Sequence, residues 1–91
     1  MDMAKLINDF SHRVLEVVRR IPRGQTLSYQ EVARRAGSAR AYRAVGTVLR
    51  TYDAKAISAP CHRVIHKDGT VGNYRWGREK KIALLKKEGA L

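Results

Sequence analysis

Apolar residues near the start of the chain recur at the spacing of an α-helix. Between Leu6 and Ile21 they are separated by three or four positions, as a helix with one buried face requires. Pro22 and Gly24 follow this stretch, and both residue types end helices. The pattern therefore predicts an amphipathic helix over residues 6–21. Its defining apolar positions are Phe10, Val14, Val17, Val18 and Ile21.

Two shorter helical stretches follow and are joined by a Gly-Ser turn. Ser28 and Glu31 have the spacing of a capping box, which predicts a helix over residues 29–36. Ser38 is placed to cap the next helix, which we expect to run to about residue 50. Two short helices joined by a tight turn predict a helix-turn-helix. The apolar positions of the second helix are Tyr42, Val45, Val48 and Leu49.

The rest of the chain predicts a loop, a small hairpin and a last helix. Residues 52–65 carry no clear periodicity, and Pro60 favours a rigid turn just before Cys61. The turn signals Asp68-Gly69 and Gly72-Asn73 are expected to bound a short hairpin. A helix is predicted over residues 78–88, and its apolar residues Ile82, Leu84 and Leu85 should face inward while Lys80, Lys81, Lys86 and Lys87 face outward. The expected fold class is mostly α: a small winged-helix-like domain with a helix-turn-helix, an active-site loop around Cys61 and a short hairpin.

Composition narrows the function classes. With 91 residues we expect one domain over residues 1–91. Nineteen basic against eight acidic residues give a net charge of +11, which is typical of proteins that bind nucleic acid. The alternative is a soluble protein with a solvated basic surface. No stretch resembles a membrane span or a signal peptide, and one cysteine cannot form an internal disulfide, so we expect a reducing, cytoplasmic location.

The second helix of the pair has an unusual mixture of residues. Arg40, Arg43 and Arg50 stand among the small residues Ala41, Ala44 and Gly46. Arginine binds phosphates, whereas small residues carry almost no information for reading bases. The helix therefore predicts DNA binding through phosphate contacts with little sequence preference. The alternative is that the small residues allow close helix packing, and one helix can do both.

The cysteine and its neighbours are the candidates for chemistry. His62 follows Cys61 directly, and a histidine can take the proton of a thiol whose ordinary pKa is about 8.5. The alternative for Cys61 is a small buried hydrophobe. Glu88 should share the inner face of the last helix and is a candidate partner for His62, unless it is exposed and paired with Lys87. Cys61, His62 and His66 lack the ligand spacing of a zinc site, so no metal is expected.

The sequence around the cysteine resembles one protein family. Pro60-Cys61-His62-Arg63-Val64 is similar to the active-site signature of the O6-alkylguanine-DNA alkyltransferases, also called methylated-DNA–protein-cysteine methyltransferases. The resemblance covers nearly the whole chain, because further family segments appear in family order. These are Ile21-Pro22-Arg23-Gly24, Ser28-Tyr29-Gln30-Glu31-Val32-Ala33, Arg43-Ala44-Val45-Gly46, Val71-Gly72-Asn73-Tyr74, and Leu84-Leu85 with Glu88.

The resemblance implies a DNA repair protein that acts once. The helix-turn-helix would enter the minor groove, the damaged guanine would be flipped into a pocket beside the thiol, and Cys61 would accept and keep the alkyl group. His62 would activate Cys61 through a water, Glu88 would orient His62, and Tyr29 would help to rotate the phosphate and donate a proton. Arg43 would fill the space left in the base stack. The implied DNA-binding residues are Tyr29, Gln30, Arg40, Ala41, Tyr42, Arg43, Ala44, Gly46 and Arg50. The implied pocket residues are Leu49, Val71, Tyr74 and Arg75, together with the backbone around Val64.

The same resemblance sets expectations about partners. The protein would act as a monomer on double-stranded DNA containing O6-alkylguanine, without a cofactor and away from membranes. It would associate with the nucleoid, and other repair proteins stay open as partners. The chain departs from the family at Thr51-Tyr52-Asp53-Ala54, where an asparagine and a proline are usual and Asp53 could brace the loop. It also departs at Arg75-Trp76, where smaller residues are common, and in lacking the N-terminal domain of most members.

Two alternatives accompany this interpretation. The alkyltransferase-like proteins bind alkylated DNA without transfer and have another residue, commonly tryptophan, at the cysteine position. Cys61 argues for transfer. A helix-turn-helix regulator with an incidental cysteine is the other alternative, but it would need side chains for base readout, which this chain does not offer.

Overall fold

A computed structural model describes residues 3–51, 59–72, 74 and 76–91, with side chains described from residue 10 onward. Asp53 and Arg75 lie outside the described residues, as do Tyr52, Ala54 and Asn73. The described parts of the chain contain four helices and two very short strands, so the mostly α fold class is confirmed. In chain order these are α1 (Met3–Arg19), β1 (Leu27–Ser28), α2 (Tyr29–Arg35), α3 (Tyr42–Thr51), β2 (Val64–Ile65) and α4 (Arg78–Lys87).

The first helix carries the central part of the core. Val14 and Val18, one turn apart, are fully buried, as the apolar spacing predicts. The helix ends at Arg19, two residues earlier than expected. The N–H of Ile21 instead donates to the carbonyl of Val18 at 3.1 Å, in a tighter turn that leads into Pro22. Helices α1, α2 and α3 pack on one another around this core.

The two helices of the helix-turn-helix are both present, with one corrected boundary. The Ser28 hydroxyl accepts from the N–H of Glu31 at 3.0 Å and caps α2, while the Glu31 carboxylate pairs with arginines one turn further along. Ser38 does not cap α3, which begins at Tyr42. Residues 38–41 form a separate turn, closed by the Ala41 N–H on the Ser38 carbonyl at 3.0 Å. The sequence expectation of a helix from residue 38 was wrong because this turn uses the backbone groups that a helix would need.

The strands join distant parts of the chain in parallel. Leu27 pairs with Val64, and Ser28 pairs with Ile65. The expected hairpin takes the form of a turn, in which the N–H of His66 donates to the carbonyl of Thr70 at 2.9 Å. The described residues after this turn, 71–72, 74 and 76–91, contain no strand. Because β1 runs directly into α2, the pairing sets the start of α2 beside the segment that follows Cys61.

In the last helix, one side chain faces the opposite way from the expectation. Leu85 is fully buried, as predicted, but Lys81 is only 1% exposed although it was expected to face outward. Lys81 lies one turn before Leu85, so helical geometry places both on the inner face. The lysines at positions 80, 86 and 87 are exposed as expected.

A glycine brings the end of α4 close to the turn after α1. Gly24 has a φ of +89°, which glycine adopts without a steric penalty. A Cβ atom at this position would lie 3.1 Å from the backbone carbonyl oxygen of Glu88. The backbone at Gly24 thus lies close to the C-terminal end of α4, where the candidate acid is located. No helix among the described residues is both long and apolar enough to span a membrane.

Candidate active site and nucleic-acid interface

Cys61 begins a single turn of 3₁₀ helix, Cys61–Arg63, that leads directly into β2. The N–H of Cys61 donates to the carbonyl of Ala59 at 2.8 Å, and the N–H of Arg63 donates to that of Pro60 at 2.9 Å. Cys61 is 6% exposed. The thiol is therefore held on a hydrogen-bonded turn, with most of its surface protected from solvent.

His62 and Glu88 form a buried pair. The Nε2 atom of His62 lies 3.0 Å from both carboxylate oxygens of Glu88. A carboxylate only accepts hydrogen bonds, so Nε2 must carry the proton and Nδ1 keeps the lone pair in the neutral ring. The arrangement therefore fixes which nitrogen of His62 can act as a base.

Arg63 is a residue that the sequence analysis missed. Its Nε and Nη2 atoms donate to the two oxygens of Glu88 at 3.0 and 2.8 Å, and its Nη1 donates to the carbonyl of Ile21 at 2.8 Å. Hydrogen bonds from Arg63 and His62 lower the pKa of Glu88 to about 2, against the cost of burial. Glu88 is thus a carboxylate at neutral pH. The sequence did contain a signal for this pair, because Arg63 directly follows His62 and an inward-facing acid needs a cation as a partner.

One cavity of about 400 Å³ collects most of the candidate residues. It opens beside Cys61 and is walled by the start of α2, one face of α3 and the segment around residue 74. Cavities of this size hold small organic ligands. The residues that line it are Tyr29, Gln30, Tyr42, Arg43, Gly46, Leu49, Arg50, Cys61, His66 and Tyr74.

Tyr29, the first residue of α2, lines the cavity together with the thiol. Burial raises the pKa of its hydroxyl, and the charge of Cys61 raises it further, whereas Arg50 acts in the opposite direction. Tyr29 therefore keeps its proton at neutral pH and is available as a donor. Its ring lies 5.1 Å from the ring of His66, centroid to centroid, so His66 forms part of the cavity wall. In the sequence His66 stood out only as a rejected metal ligand; its side chain is exposed and also lines the cavity.

Gln30 contributes an unsatisfied polar atom. Its Oε1 is buried and has no hydrogen-bond partner among the described residues. Leaving such an acceptor unpaired costs about 1–3 kcal/mol, so its lack of a partner calls for an explanation. Gln30 lines the cavity, so a bound molecule would be able to satisfy this atom.

The exposed face of α3 borders the same cavity. Tyr42, Arg43 and Arg50 are all exposed, and the Arg43 guanidinium carbon lies 6.0 Å from the Tyr42 ring centroid. Arg40 is also exposed but lies outside the cavity, as does Ala44. Cationic and small side chains thus alternate on a surface that leads to the thiol. This composition suits contact with a phosphate backbone.

Some expected pocket residues lie elsewhere. Val64 is fully buried in the core and Val71 is 7% exposed, and neither side chain lines the cavity. Val64 is held inward by its place in β2. Leu49 and Tyr74 do line it, and the Tyr74 ring meets the His62 ring edge-on at 6.4 Å. Ala41 is half-buried and faces a second groove, toward α1. Within the described residues, no three His, Cys, Asp or Glu side chains could hold a metal ion together.

Comparison with known proteins gives a consistent result. The profile described as 6-O-methylguanine DNA methyltransferase, DNA binding domain, matches residues 9–90. A methylated-DNA–protein-cysteine methyltransferase from Methanothermobacter thermautotrophicus is 47% identical over 81 residues, which are 89% of this chain and 44% of that protein. The chain spans between 22% and 50% of the length of these curated relatives.

Two solved structures resemble the fold closely. Mycobacterium tuberculosis OGT in complex with DNA has a TM-score of 0.81 and 41% identity, covering 90% of this chain and 50% of that one. S. pombe Atl1 in complex with damaged DNA containing O6-carboxymethylguanine has a TM-score of 0.79 and 28% identity, covering 90% of this chain and 77% of that one. The family profile matches almost the whole chain. This chain therefore belongs to the family of 6-O-methylguanine DNA methyltransferase DNA-binding domains.

Proposed function

We propose that this protein repairs O6-alkylguanine in duplex DNA by transferring the alkyl group irreversibly to Cys61. The observation that carries the proposal is the position of the only cysteine. Cys61 lines a cavity that opens onto the helix-turn-helix, and it directly precedes a histidine bound to a buried carboxylate. Transfer to the protein's own thiol needs no cofactor, because the protein is the second substrate.

The proposed reaction has one bond-making and one bond-breaking event. His62, with Nδ1 as the base, accepts the thiol proton through a water, and Glu88 stabilises the resulting imidazolium. The thiolate attacks the alkyl carbon, an S–C bond forms, and the C–O6 bond breaks with its electron pair moving into the guanine. Guanine then leaves as a neutral base when it receives a proton. Tyr29 is the candidate donor because its hydroxyl stays protonated beside the thiol.

DNA engagement follows from the surface around the cavity. A target base has to leave the duplex to reach a buried thiol, and the cost of unstacking is a few kcal/mol. Arg43, exposed at the cavity rim, is placed to enter the duplex and hold that state open. Arg40 and Arg50 would contact phosphates, and Leu49 and Tyr74 would line the space for the extruded base. We propose that residues 1–91 act as one unit in this role.

A second candidate is damage recognition without transfer. It is favoured by the close similarity to S. pombe Atl1, of which this chain covers 77%. In this case the cavity would hold the extruded base and the protein would mark the site for other repair proteins. Cys61 in the cavity favours transfer over this alternative.

Intact-protein mass spectrometry separates the two. The protein is mixed with a duplex carrying one O6-methylguanine, and an unmodified duplex serves as the control. We expect the mass of one methyl group to be added and mapped to Cys61 by peptide sequencing, with no change in the control. Tight binding to the methylated duplex without a mass change would support damage recognition instead.

A further inference from the structure

His66 is a titratable residue of the cavity wall to which the reaction described above assigns no part. Its side chain is exposed, yet it lines the cavity together with Tyr29 and Arg50. A residue that is both exposed and part of the wall lies at the mouth of the cavity. The base and the phosphates of a nucleotide are covalently joined, so a base that enters the cavity brings its backbone phosphates to this mouth. His66 is therefore located where a phosphate would arrive.

Two neighbours restrict the imidazole ring of His66. The Tyr29 ring lies 5.1 Å away, centroid to centroid, with an angle of 41° between the two rings. A second contact comes from Gly72, where a Cβ atom would lie only 2.7 Å from Nε2 of His66. Gly72 has a φ of +76° and no side chain, so its backbone can come this close to the ring. A ring that is already restricted loses less conformational entropy when it binds a ligand.

The turn that carries His66 leaves the imidazole ring for a ligand. Within the described part of the chain, His66 makes its hydrogen bonds through its backbone, to Thr70 at 2.9 Å and to Gly69 at 3.0 Å. Asp68 is the acid of this turn, and its Oδ1 accepts from the N–H and the hydroxyl of Thr70 at 2.9 and 2.7 Å. Hydrogen bonds from Thr70, and to a smaller extent the charge of His66, lower the pKa of Asp68. The Asp68 carboxylate therefore favours the protonated form of His66.

The cations around the cavity act in the opposite direction. Arg43 and Arg50 of α3 line the same cavity, and Lys67 follows His66 in the chain. All three side chains are exposed. Nearby positive charges disfavour a further one, and a phosphate that binds among them removes this repulsion. Protonation of His66 is therefore favoured when DNA is bound.

The remaining titratable groups near this ring belong to α2, α4 and the active-site turn. Burial raises the pKa of Tyr29, so its hydroxyl is a neutral donor beside His66. Lys81 of α4 is buried, with its Nζ 5.8 Å from the centroid of the Tyr29 ring, and Cys61 is buried as well. Among the described residues that line the cavity, His66 is the exposed one whose residue type ordinarily changes charge between pH 5 and 8.

We propose that His66 is a further DNA-binding residue, which in its protonated form binds a backbone phosphate at the mouth of the cavity. An imidazolium donates from both ring nitrogens and adds its charge to the hydrogen bond, whereas a neutral imidazole donates from one. Binding of the phosphate stabilises the protonated form, so the affinity for DNA rises as the pH falls and the histidine gains its charge. The inference rests on the proposed function for the way in which DNA reaches the cavity, but it requires no alkyl transfer.

The test is the affinity of the protein for an unmodified duplex at pH 6 and pH 8, measured by fluorescence anisotropy over a range of salt concentrations. We expect the wild type to bind about 3- to 10-fold more tightly at pH 6, as for one exposed charge-assisted hydrogen bond. The slope of log affinity against log salt should be steeper at pH 6 by up to about 0.9, which corresponds to one more phosphate contact. His66→Gln is neutral at both pH values and should lose both differences.

Two further variants separate this effect from other titrations. His66→Arg carries its charge at both pH values and should bind at pH 8 about as tightly as the wild type does at pH 6. His12→Gln removes an exposed histidine of α1 that does not line the cavity, and should keep the pH dependence of the wild type.

Three results would overturn the inference: a wild-type affinity that does not depend on pH, a pH dependence that survives in His66→Gln, or a His66→Arg protein that binds no more tightly than His66→Gln at pH 8. Failure of the proposed function has a different signature. Wild-type protein that shows the expected pH dependence but takes no methyl group from a duplex with O6-methylguanine would contradict alkyl transfer alone.

Discussion

Arg63 and Glu88 are joined by two parallel hydrogen bonds, from Nε to Oε1 at 3.0 Å and from Nη2 to Oε2 at 2.8 Å. Both side chains are largely buried, and Nε2 of His62 contacts the same two oxygens. A bidentate pair fixes the plane of a carboxylate, whereas a single bond leaves it free to rotate. Arg63 therefore sets the orientation of the Glu88 carboxylate that His62 contacts.

The Glu88 pair predicts a specific acid sensitivity. The pKa of Glu88 is lowered in the folded protein from 4.5 to about 2, so its stabilisation is complete above about pH 4.5 and is lost as the pH falls toward about 2. Solvent around the pair screens part of this effect. Glu88→Gln should therefore lower the free energy of unfolding by about 1–2 kcal/mol at pH 7, and its difference from the wild type should shrink below pH 4.5.

Denaturant unfolding at a series of pH values measures this difference. Glu31→Gln is the matched control, because the pKa of Glu31 is also lowered to about 2 but its arginine partners are exposed on α2. Solvent screens such pairs, so the control should show a much smaller effect. If Glu88→Gln lowered the free energy of unfolding as little as Glu31→Gln does, the Glu88 pair would have no special structural role.

Substitution of Cys61, the proposed nucleophile, should separate methyl transfer from DNA binding. Cys61→Ala should abolish methyl transfer and leave the affinity for duplex DNA within about twofold, because the proposed phosphate contacts come from arginines elsewhere in the chain. The measurements are mass spectrometry for transfer and fluorescence anisotropy for binding. A Cys61→Ala protein that still removes the methyl group would disprove the proposed mechanism.

Arg43 should matter only where a base has to leave a duplex. Arg43→Ala should slow methyl transfer from duplex DNA by about 10- to 100-fold, which corresponds to a loss of about 1.4–2.8 kcal/mol from the inserted arginine. It should leave transfer from the free O6-methylguanine base unchanged. Single-turnover kinetics on both substrates give the ratio. Arg40→Ala, which removes a charge outside the cavity, should weaken DNA binding without changing that ratio. Equal losses on both substrates would remove the assigned role of Arg43.

The unpaired oxygen of Gln30 predicts a trade between stability and binding. Gln30→Leu removes a buried acceptor that has no partner among the described residues, so the variant should be as stable as the wild type or more stable. Affinity for duplex DNA should fall by about 5- to 30-fold, as expected for the loss of about 1–2 kcal/mol. Thermal melting and anisotropy together test this. Unchanged affinity would mean that Gln30 makes no contact with DNA.

Local signals predicted much of the fold, because helices are encoded by contacts three or four residues apart. The apolar spacing of Val14 and Val18 and the cap at Ser28 were sufficient for α1 and α2. The pairing of β1 with β2 was not predictable, since each strand has two residues and the partners are distant in sequence. The boundary at Ser38 was missed because a turn and a first helical turn have the same composition.

Local signals also predicted part of the candidate site. Cys61 and His62 are neighbours in sequence, and Glu88 could be placed by helical periodicity. Arg63 and Lys81 were missed because charged residues were assumed to face solvent, which is true on average and false where a buried group provides a partner. Periodicity with Leu85 already pointed Lys81 inward. An inward charge on an otherwise apolar face is thus a useful sign of a nearby site.

The parallel pairing of β1 with β2 also has a kinetic consequence. Leu27 meets Val64 only after the chain has closed a long loop that contains both helices of the helix-turn-helix. Closing such a loop costs conformational entropy and is slow compared with forming a helix. Tyr29 and Cys61 thus come to face one cavity late in folding, and Glu88 reaches His62 only once α4 has docked. Until α4 docks, Cys61 therefore lacks the His62–Glu88 pair that stands beside it in the folded domain.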